Sequence, residues 1–355
     1  MALSKNQLSE IKKHLETAQN PMFFFDDDCD GLCSFLLFKK FCKGRGKGII
    51  VKGSPKLEEK YVKQVRGYSP DKIFVLDKPI VSQEFIDKIS VPIIWIDHHP
   101  PIERQGIKYF NPRLKNPNDK SSTTYWCYKV TKQNEWLAMV GCIADWAFPG
   151  KDLAEKFFKG YGDLCPDIKD PETILFSTKF GELIKTFSFI LKGTAKEAIK
   201  YINIIYKIES PHEIINNETL NAKQLNERAK EVDKRYNKVL RSALDSQQAT
   251  EDIFVFMYHD KKMSFTADLS NELLHIFPEK IIIIARTKDG EAKISLRSKN
   301  IPIIKILTEA LNGINGYGGG HDYACGATIA KEDFQRFIGN IKSQLEYTKS
   351  CIQTK

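Results

Sequence analysis

Four aspartates lie within five residues, directly after three phenylalanines, at Asp26, Asp27, Asp28 and Asp30. Alternation along an extended strand end would direct Asp26, Asp28 and Asp30 to one side, which gives a hard, multidentate cation site. Carboxylates this close repel one another unless a cation lies between them. A solvated acidic turn is the simpler alternative, and an EF-hand is disfavoured because no glutamate follows at the twelfth loop position. The spacing favours a divalent metal site.

A second cluster, Asp97-His98-His99, follows the apolar segment IIWI and is closed by Pro100 and Pro101. A single histidine is usually structural, but here two imidazoles stand beside a carboxylate. Imidazole suits a borderline metal such as Mn²⁺ or Zn²⁺ better than Mg²⁺ or Ca²⁺. The cluster predicts nitrogen ligands for the same metal site.

Asp77 and Asp145 also follow apolar segments, and each alone is as consistent with a helix or turn cap as with a ligand. The apolar runs that end at Asp26, Asp77 and Asp97 alternate with helical patterns. This alternation predicts a parallel sheet with helices on both faces. Ligands bind at the carboxyl ends of strands in such sheets, so acids at three strand ends predict one convergent site.

The elements that would position these residues form two α/β patterns. We expect helices near residues 32–43, 57–65 and 82–89 in the first, and strands again beyond residue 250. The segment NAKQLNERAKEVDKRYNKVLRSAL indicates a long exposed helix that could link two domains. The predicted fold is an N-terminal parallel-sheet domain and a smaller C-terminal α/β domain joined by helices. The predicted limits are 1–190, 191–249 and 250–355.

The C-terminal pattern contains GYGGGHDYACG, which places Gly319 and Gly320 directly before His321. A glycine-rich turn lets backbone N–H groups approach an anion closely, and His321 would add a donor or a positive charge. A flexible loop is an equally simple interpretation. Arg297 and Ser298 end a predicted strand and either complete a phosphate-binding site or form a solvated strand end.

Composition is that of a globular protein, with 42% hydrophobic and 28% charged residues. No apolar run approaches the ~18–20 residues of a membrane span, so a cytoplasmic protein is expected. The net charge of +9 favours polyanionic partners weakly. Eight cysteines without a C-x-x-C pair argue against a zinc ribbon or a disulfide scaffold.

A basic run follows the first motif and would form either a solvated helix face or a path for phosphates; it comprises Lys39, Lys40, Lys43, Arg45 and Lys47.

In their order along the chain, these motifs resemble those of the DHH phosphoesterase superfamily, and within it the RecJ-like exonucleases of archaea. The matching motifs are Asp26-Asp27-Asp28-Cys29-Asp30-Gly31, Asp77, Asp97-His98-His99, Gly141 with Asp145, Gly319-Gly320-His321 and Arg297-Ser298. Pyrophosphatases of the superfamily carry a histidine where this chain has Phe24, so the resemblance favours the nuclease branch. Lys78-Pro79 and Asp27 depart from the pattern.

The resemblance implies two divalent ions, Mn²⁺ first and Mg²⁺ as the alternative, in a cleft between the two domains. It assigns Asp26 and Asp28 to one ion, Asp77 to a bridge, and Asp30, His98 and Asp145 to the other ion. His99 would act near the phosphate or leaving group, and Asp97 would orient a histidine. Phosphate and terminal nucleotide would be bound by Arg297, Ser298, Gly319, Gly320 and His321.

The implied substrate is single-stranded DNA or RNA, cleaved by an exonuclease. A second hypothesis is a small-substrate phosphoesterase: an oligoribonuclease, a 3′-phosphoadenosine 5′-phosphate phosphatase or a cyclic-dinucleotide phosphodiesterase. A third is a non-catalytic scaffold for replication, which the retained acids and histidines disfavour. Replication or repair proteins are further candidate partners, and no membrane partner is expected.

Overall fold

The computed structural model describes residues 2–246 and 252–353, with side chains to residue 346. The chain divides into two compact units, Met1–Lys230 and Glu231–Lys355. The division falls inside one long helix, Leu220–Asp245. The domain limits expected from sequence remain predictions, and the limit between 249 and 250 lies outside the described residues.

The first unit is built on a parallel sheet with strand order β2-β1-β4-β6-β7, beside a small parallel pair of β3 and β5. Its strands are β1 (Pro21–Asp26), β2 (Lys47–Val51), β3 (Lys56–Leu57), β4 (Lys72–Leu76), β5 (Ile80–Val81), β6 (Ile93–Ile96) and β7 (Lys108–Phe110). Its helices are α1 (Lys5–Thr17), α2 (Cys29–Phe41), α3 (Val62–Tyr68), α4 (Gln83–Asp87), α5 (Thr123–Thr131), α6 (Glu135–Ala144), α7 (Lys151–Tyr161), α8 (Pro171–Ser177), α9 (Lys179–Ile190), α10 (Ala195–Ile205), α11 (Pro211–Ile215) and α12 (Leu220–Asp245).

Side chains of β1 are buried on both faces of this sheet, which explains its uninterrupted apolar run. Phe23 stacks on Phe74 with ring centroids 5.3 Å apart, in the cluster that includes α2. Phe24 points the other way and packs edge-on against Phe85 of α4 at 5.7 Å. The expectation of a parallel sheet covered on both faces is therefore confirmed.

The first acidic motif is not the extended segment that its alternation predicted. Strand β1 ends at Asp26, Asp28 is the N-cap of α2, and Asp30 lies in the first turn of that helix. The helix begins at Cys29, before the expected residue 32, because Asp28 Oδ1 accepts the Gly31 N–H at 2.9 Å. A side chain at Gly31 would meet the Asp26 backbone at 2.6 Å, so only glycine permits this tight strand-to-helix transition.

Two other helices differ from expectation. The segment expected as a helix over 57–65 begins as β3 and a 3₁₀ turn, Glu59–Tyr61, so α3 starts only at Val62. The helix expected over 82–89 is the shorter α4, capped by the Ser82 hydroxyl, which accepts from the Phe85 N–H at 3.2 Å.

The second unit holds a mixed sheet with strand order β11-β12-β10-β9-β8, in which only β8 and β9 run parallel among the described strands. Its elements are β8 (Ile253–His259), α13 (Thr266–Ile276), β9 (Ile281–Lys288), β10 (Glu291–Arg297), α14 (Ile304–Ala310), β11 (Gly316–His321), β12 (Ala324–Ala330) and α15 (Phe334–Gln353). This is the smaller α/β domain that the sequence predicted. The glycine-rich run is an exposed edge strand and not a turn, because it pairs with β12 from Gly316 to His321.

Seven cysteines, all but Cys351, are buried, and none of these seven forms a disulfide. Cys351 has no described side chain. Over the described residues, no helix has both the length and the apolar character needed to cross a membrane.

Candidate metal centre

Three neighbouring strands of the first unit deliver acids to one edge of the sheet. In the register of β1, β4 and β6, Phe25 lies beside Leu76, and Leu76 lies beside Ile96. Asp26 ends β1, while Asp77 and Asp97 directly follow the other two strands. The carboxyl ends of parallel strands thus lie side by side.

The six residues expected as metal ligands fall into groups whose ligand atoms lie within 4.8 Å of one another. The groups are Asp26 with Asp28 and Asp77, Asp30 with His98 and Asp145, and Asp77 with His98 and His99. Asp77 and His98 each belong to two groups, so the clusters are continuous. His99, expected to act on substrate, is here also a candidate ligand.

Asp77 is held in an uncommon backbone conformation, with φ of 58°, directly after β4. Its N–H donates to the Ile96 carbonyl at 3.0 Å, and its Oδ1 accepts from the Thr123 hydroxyl at 2.9 Å. Burial, followed by the charges of Asp30 and Asp28, raises the pKa of Asp77 well above its ordinary value. A divalent cation would relieve both effects.

Asp30 is anchored by the N-terminus of α5. Its Oδ2 accepts the Thr123 N–H at 2.8 Å and its Oδ1 accepts the Thr124 N–H at 2.6 Å. The first amides of a helix stabilise a carboxylate through their free N–H groups and the helix dipole. Sequence reasoning missed both threonines; the helix-start pattern around Ser122 was the available signal.

Gly141 and Asp145 connect α6 to the centre. A side chain at Gly141 would lie 2.3 Å from Thr124 Oγ1, so glycine allows α6 to approach α5. Asp145 follows the last turn of α6, and its N–H donates to the Gly141 carbonyl at 3.2 Å. Its Oδ2 lies 3.7 Å from His98 Nδ1. The spacing of four residues thus places the acid one turn beyond the close contact.

The two histidines have different environments. His98 is buried, with Nε2 3.5 Å from Asp77 Oδ1, and burial followed by the charge of His99 lowers its pKa. A neutral imidazole is the form that binds a metal. Burial acts to lower the pKa of His99 as well, but the hydrogen bond and charge of Asp97 raise it overall. His99 Nδ1 lies 2.8 Å from Asp97 Oδ1.

Asp97 is fully buried, and its second carboxylate oxygen, Oδ2, also accepts hydrogen bonds. Its Oδ2 accepts from the His99 N–H at 3.1 Å, from Asn111 Nδ2 at 3.2 Å and from the Tyr109 hydroxyl at 3.3 Å. These contacts fix the carboxylate against His99 and leave it outside all three candidate ligand groups. Asp97 is therefore placed to orient His99.

Lys78 places a buried ammonium beside the acids. Its Nζ donates to Asp26 Oδ1 at 2.8 Å and to the Ser54 carbonyl at 2.6 Å. Its carbonyl accepts from the Trp95 indole at 2.8 Å. Burial raises the pKa of Asp26 to about 7, and the charge of Lys78 opposes that shift. The sequence marked Lys78 only as a departure from the family pattern.

The donor set fits divalent ions. It combines carboxylate oxygens with a buried imidazole, and the acids Asp30 and Asp77 are at most 2% exposed. Oxygen with imidazole is a ligand mixture that Mn²⁺ accepts and that Mg²⁺ and Ca²⁺ use less often. Buried carboxylates in such number require cations to be stable in their charged forms.

The residues expected to bind phosphate lie in the second unit. Arg297 on β10 and His321 on β11 both pair with Ala324 of β12, so they share one face of the sheet. Arg297 donates to Asn271 Oδ1 at 2.8 Å and to the Leu296 carbonyl at 2.9 Å, and burial lowers its pKa to about 10. Ser298 is buried and its Oγ accepts the Ile301 N–H at 3.1 Å. Gly319, Gly320 and His321 are exposed.

The basic run near α2 contacts its own fold. Lys40 donates to the Ile208 carbonyl at 3.0 Å, and Arg45 donates to the Ala18 carbonyl at 2.7 Å. Lys39 donates to the Gly46 carbonyl. These contacts favour a structural role over a path for phosphates.

Two family models match the chain. Residues 22–147 match the DHH family, N-terminal domain, and residues 251–346 match the DHHA1 domain, together more than half of the chain. No curated protein sequence matches.

Solved RecJ structures share the fold. RecJ from Thermus thermophilus in complex with Mn²⁺ superposes with a TM-score of 0.70 at 16% identity, covering 97% of this chain and 55% of that one. The Mg²⁺ complex gives a TM-score of 0.61 at 15% identity, covering 97% and 53%. An exonuclease RecJ bound to manganese gives 0.61 at 15%, covering 97% and 95%. The chain thus spans about half the length of Thermus RecJ. It belongs to the DHH family, with a DHH N-terminal domain followed by a DHHA1 domain.

Proposed function

We propose that this protein is a metal-dependent phosphodiesterase that degrades single-stranded nucleic acid, in the manner of a RecJ-like exonuclease. The observation that carries the proposal is the continuous set of ligand groups joined through Asp77 and His98. Solved RecJ proteins that bind Mn²⁺ or Mg²⁺ share the fold, which supports the same chemistry here.

In this proposal Asp26, Asp28 and Asp77 hold one divalent ion, and Asp30, His98 and Asp145 hold a second. Mn²⁺ is the preferred ion and Mg²⁺ the alternative. Such ions, when bound, neutralise phosphate oxygens and lower the pKa of a coordinated water. Thr123 and Thr124 fix the acids Asp77 and Asp30 through hydrogen bonds, so the ligands are oriented before any ion arrives.

His99 is the proposed proton donor to the leaving oxygen. Asp97 engages Nδ1 at 2.8 Å and raises the pKa of His99, so the ring stays protonated to higher pH than a free imidazole. Any transferred proton then leaves from Nε2. Asp77 belongs to two of the three ligand groups, and this shared membership is the basis of its proposed role in catalysis.

Substrate phosphate is proposed to bind to His321 and to the exposed backbone of Gly319 and Gly320. Arg297 lies on the same face and adds positive charge, although its hydrogen bonds also hold β10 and α13 together. Ser298 supports the loop that follows β10 through Ile301.

A phosphoesterase for short oligonucleotides is the second candidate. The internal contacts of Lys40 and Arg45 favour it, because these cations already donate to carbonyls of the fold, which leaves less of the basic run to bind a long polyanion.

The experiment is a length series of single-stranded DNA and RNA, from a dinucleotide to about a 30-mer, with Mn²⁺ and with Asp145→Asn as the inactive control. Stepwise shortening of the longest strands supports the exonuclease. Turnover confined to chains of about two to five nucleotides supports the second candidate. Absence of hydrolysis at every length with wild-type protein contradicts both.

A further inference from the structure

Lys78 lies beside the ligand group formed by Asp26, Asp28 and Asp77, which consists of three carboxylates. The Lys78 side chain is fully buried, and its Nζ lies 2.8 Å from Asp26 Oδ1. Its second hydrogen bond, to the Ser54 carbonyl at 2.6 Å, also restrains the ammonium. The main chain of Lys78 is fixed as well, because its carbonyl accepts from the buried Trp95 indole. The ammonium is therefore held in a fixed position beside Asp26.

The contact with Lys78 leaves Asp26 with fewer oxygen lone pairs to bind a metal ion. Oδ1 accepts from Lys78 Nζ and also from the Asp27 N–H, each at 2.8 Å. A carboxylate oxygen has about two lone-pair positions, so this oxygen is saturated and only Oδ2 remains for an ion. Asp30 differs, because each of its oxygens accepts one backbone N–H and keeps a second position.

The charge of Lys78 also acts on any ion bound to Asp26, Asp28 and Asp77. A divalent cation in that group would lie near a fixed ammonium, and like charges at short distance in a buried site repel strongly. The group Asp30, His98 and Asp145 has no lysine or arginine within 4 Å of its acids in the described part of the chain. The two ligand groups are therefore expected to differ in their affinity for a divalent ion.

We propose that the Lys78 ammonium is a built-in cation of the first metal position, so that the resting protein retains one divalent ion, at Asp30, His98 and Asp145. This inference rests on the metal-dependent function proposed above. A second ion binds at Asp26, Asp28 and Asp77 more weakly, by about ten- to a hundredfold, a size within the usual range of coupling between two binding sites.

The test measures metal content and affinity, not activity. The full chain is loaded with Mn²⁺, desalted and analysed for manganese per protein, and Mn²⁺ binding to the metal-free protein is titrated by calorimetry. We expect wild type to retain one ion, Lys78→Met to retain two, and Lys78→Arg to retain one. Lys52→Met is the matched control, because Lys52 pairs with Asp27 at 3.7 Å and should leave the value at one.

Each outcome has a separate meaning. Two ions of equal affinity in wild type overturn the inference and leave the proposed function standing, whereas no retained ion contradicts both. A folded Lys78→Met protein that still retains one ion also overturns the inference. Should Lys78→Met not fold, Asp26→Asn decides: the tight ion stays with unchanged affinity if the inference is right and is lost or weakened if it is wrong.

Discussion

The partly buried His99 and the fully buried Asp97 form a pair in which the imidazole Nδ1 lies 2.8 Å from the carboxylate Oδ1. Asp97→Asn removes the charge that raises the pKa of His99, so the ring loses its proton at lower pH. We expect turnover to fall about ten- to a hundredfold and the alkaline limb of its pH profile to move toward acid. Tyr109→Phe is the control, since it keeps the charge of Asp97 and removes the 3.3 Å contact to Oδ2 together with the 2.7 Å hydrogen bond from Asn111. An unchanged pH profile in Asp97→Asn would exclude His99 as the group that titrates.

Asp28 has two roles that substitution can separate, as a candidate ligand and as the N-cap of α2. Asp28→Asn keeps a capping oxygen, whereas Asp28→Ala loses about 1 kcal/mol of helix capping. Both should reduce turnover by at least about a hundredfold, more than the loss of a residue that only supports a ligand. Thermal unfolding in chelator should show lower stability for the alanine variant than for the asparagine variant. Near wild-type turnover in either protein would mean that Asp28 is not a ligand.

The metal-free protein should lose stability as pH rises from about 4 to about 7.5, between the unfolded and folded pKa values of its raised carboxyls. The folded-state pKa of Asp26 is raised to about 7, so its contribution is complete below about pH 4 and is lost through pH 7, when the folded carboxylate ionises. Asp77 and His99, whose pKa values are also raised, act in the same direction. His98, with a lowered pKa, acts oppositely below its unfolded value near 6.5, but there it is one group against the two carboxyls Asp26 and Asp77. The slope is at most about 1.4 kcal/mol per pH unit for each group.

Urea midpoints measured across that range check this prediction. Saturating Mn²⁺ should reverse the slope, because the ion binds the deprotonated carboxylates and stabilises the folded state more at higher pH. Asp26→Asn should make the metal-free curve flatter. A metal-free stability that rises with pH would show that the acids are not held in a mutually repelling cluster.

His321→Ala and Arg297→Ala should differ in kind. Loss of a charged hydrogen bond to phosphate costs about 1.5–3 kcal/mol, so His321→Ala should weaken oligonucleotide binding roughly ten- to a hundredfold and leave stability and manganese content unchanged. Arg297→Ala should also destabilise the protein by about 1–3 kcal/mol, because it leaves the Asn271 amide and two carbonyls without their donor. Anisotropy of a labelled oligonucleotide on the Asp145→Asn background, with urea unfolding, separates the two. Loss of manganese in His321→Ala would contradict a purely substrate-binding role.

Much of the centre could be predicted because its residues lie at strand ends. Apolar runs fix the strands, parallel strands end at one edge, and so Asp26, Asp77 and Asp97 had to be neighbours. The two threonines that hold Asp30 and Asp77 could not be found this way. Thr123 and Thr124 lie more than 90 residues beyond Asp30, and their contacts depend on how α5 packs against α2.

The other differences between the expected and the observed elements arise where a cap or a strand partner outweighs the local sequence pattern. Alternating acids look like a strand, but Asp28 caps a helix and draws Asp30 into its first turn. The glycine-rich run has turn composition, yet β12 supplies partners along its length, so it extends as a strand. Burial of Lys78 follows from the fold around β1 and β4 and left no trace in the local sequence.

The acids and histidines at these strand ends are proposed to form a metal centre that hydrolyses phosphodiesters. The direct measurement is single-turnover cleavage of an end-labelled single-stranded oligonucleotide by protein stripped with chelator and then resupplied with one ion at a time. We expect no cleavage in chelator, recovery with Mn²⁺, weaker recovery with Mg²⁺, little with Ca²⁺, and none for Asp145→Asn with any ion. Full cleavage in excess chelator, or an Asp145→Asn protein as fast as wild type, would contradict the account.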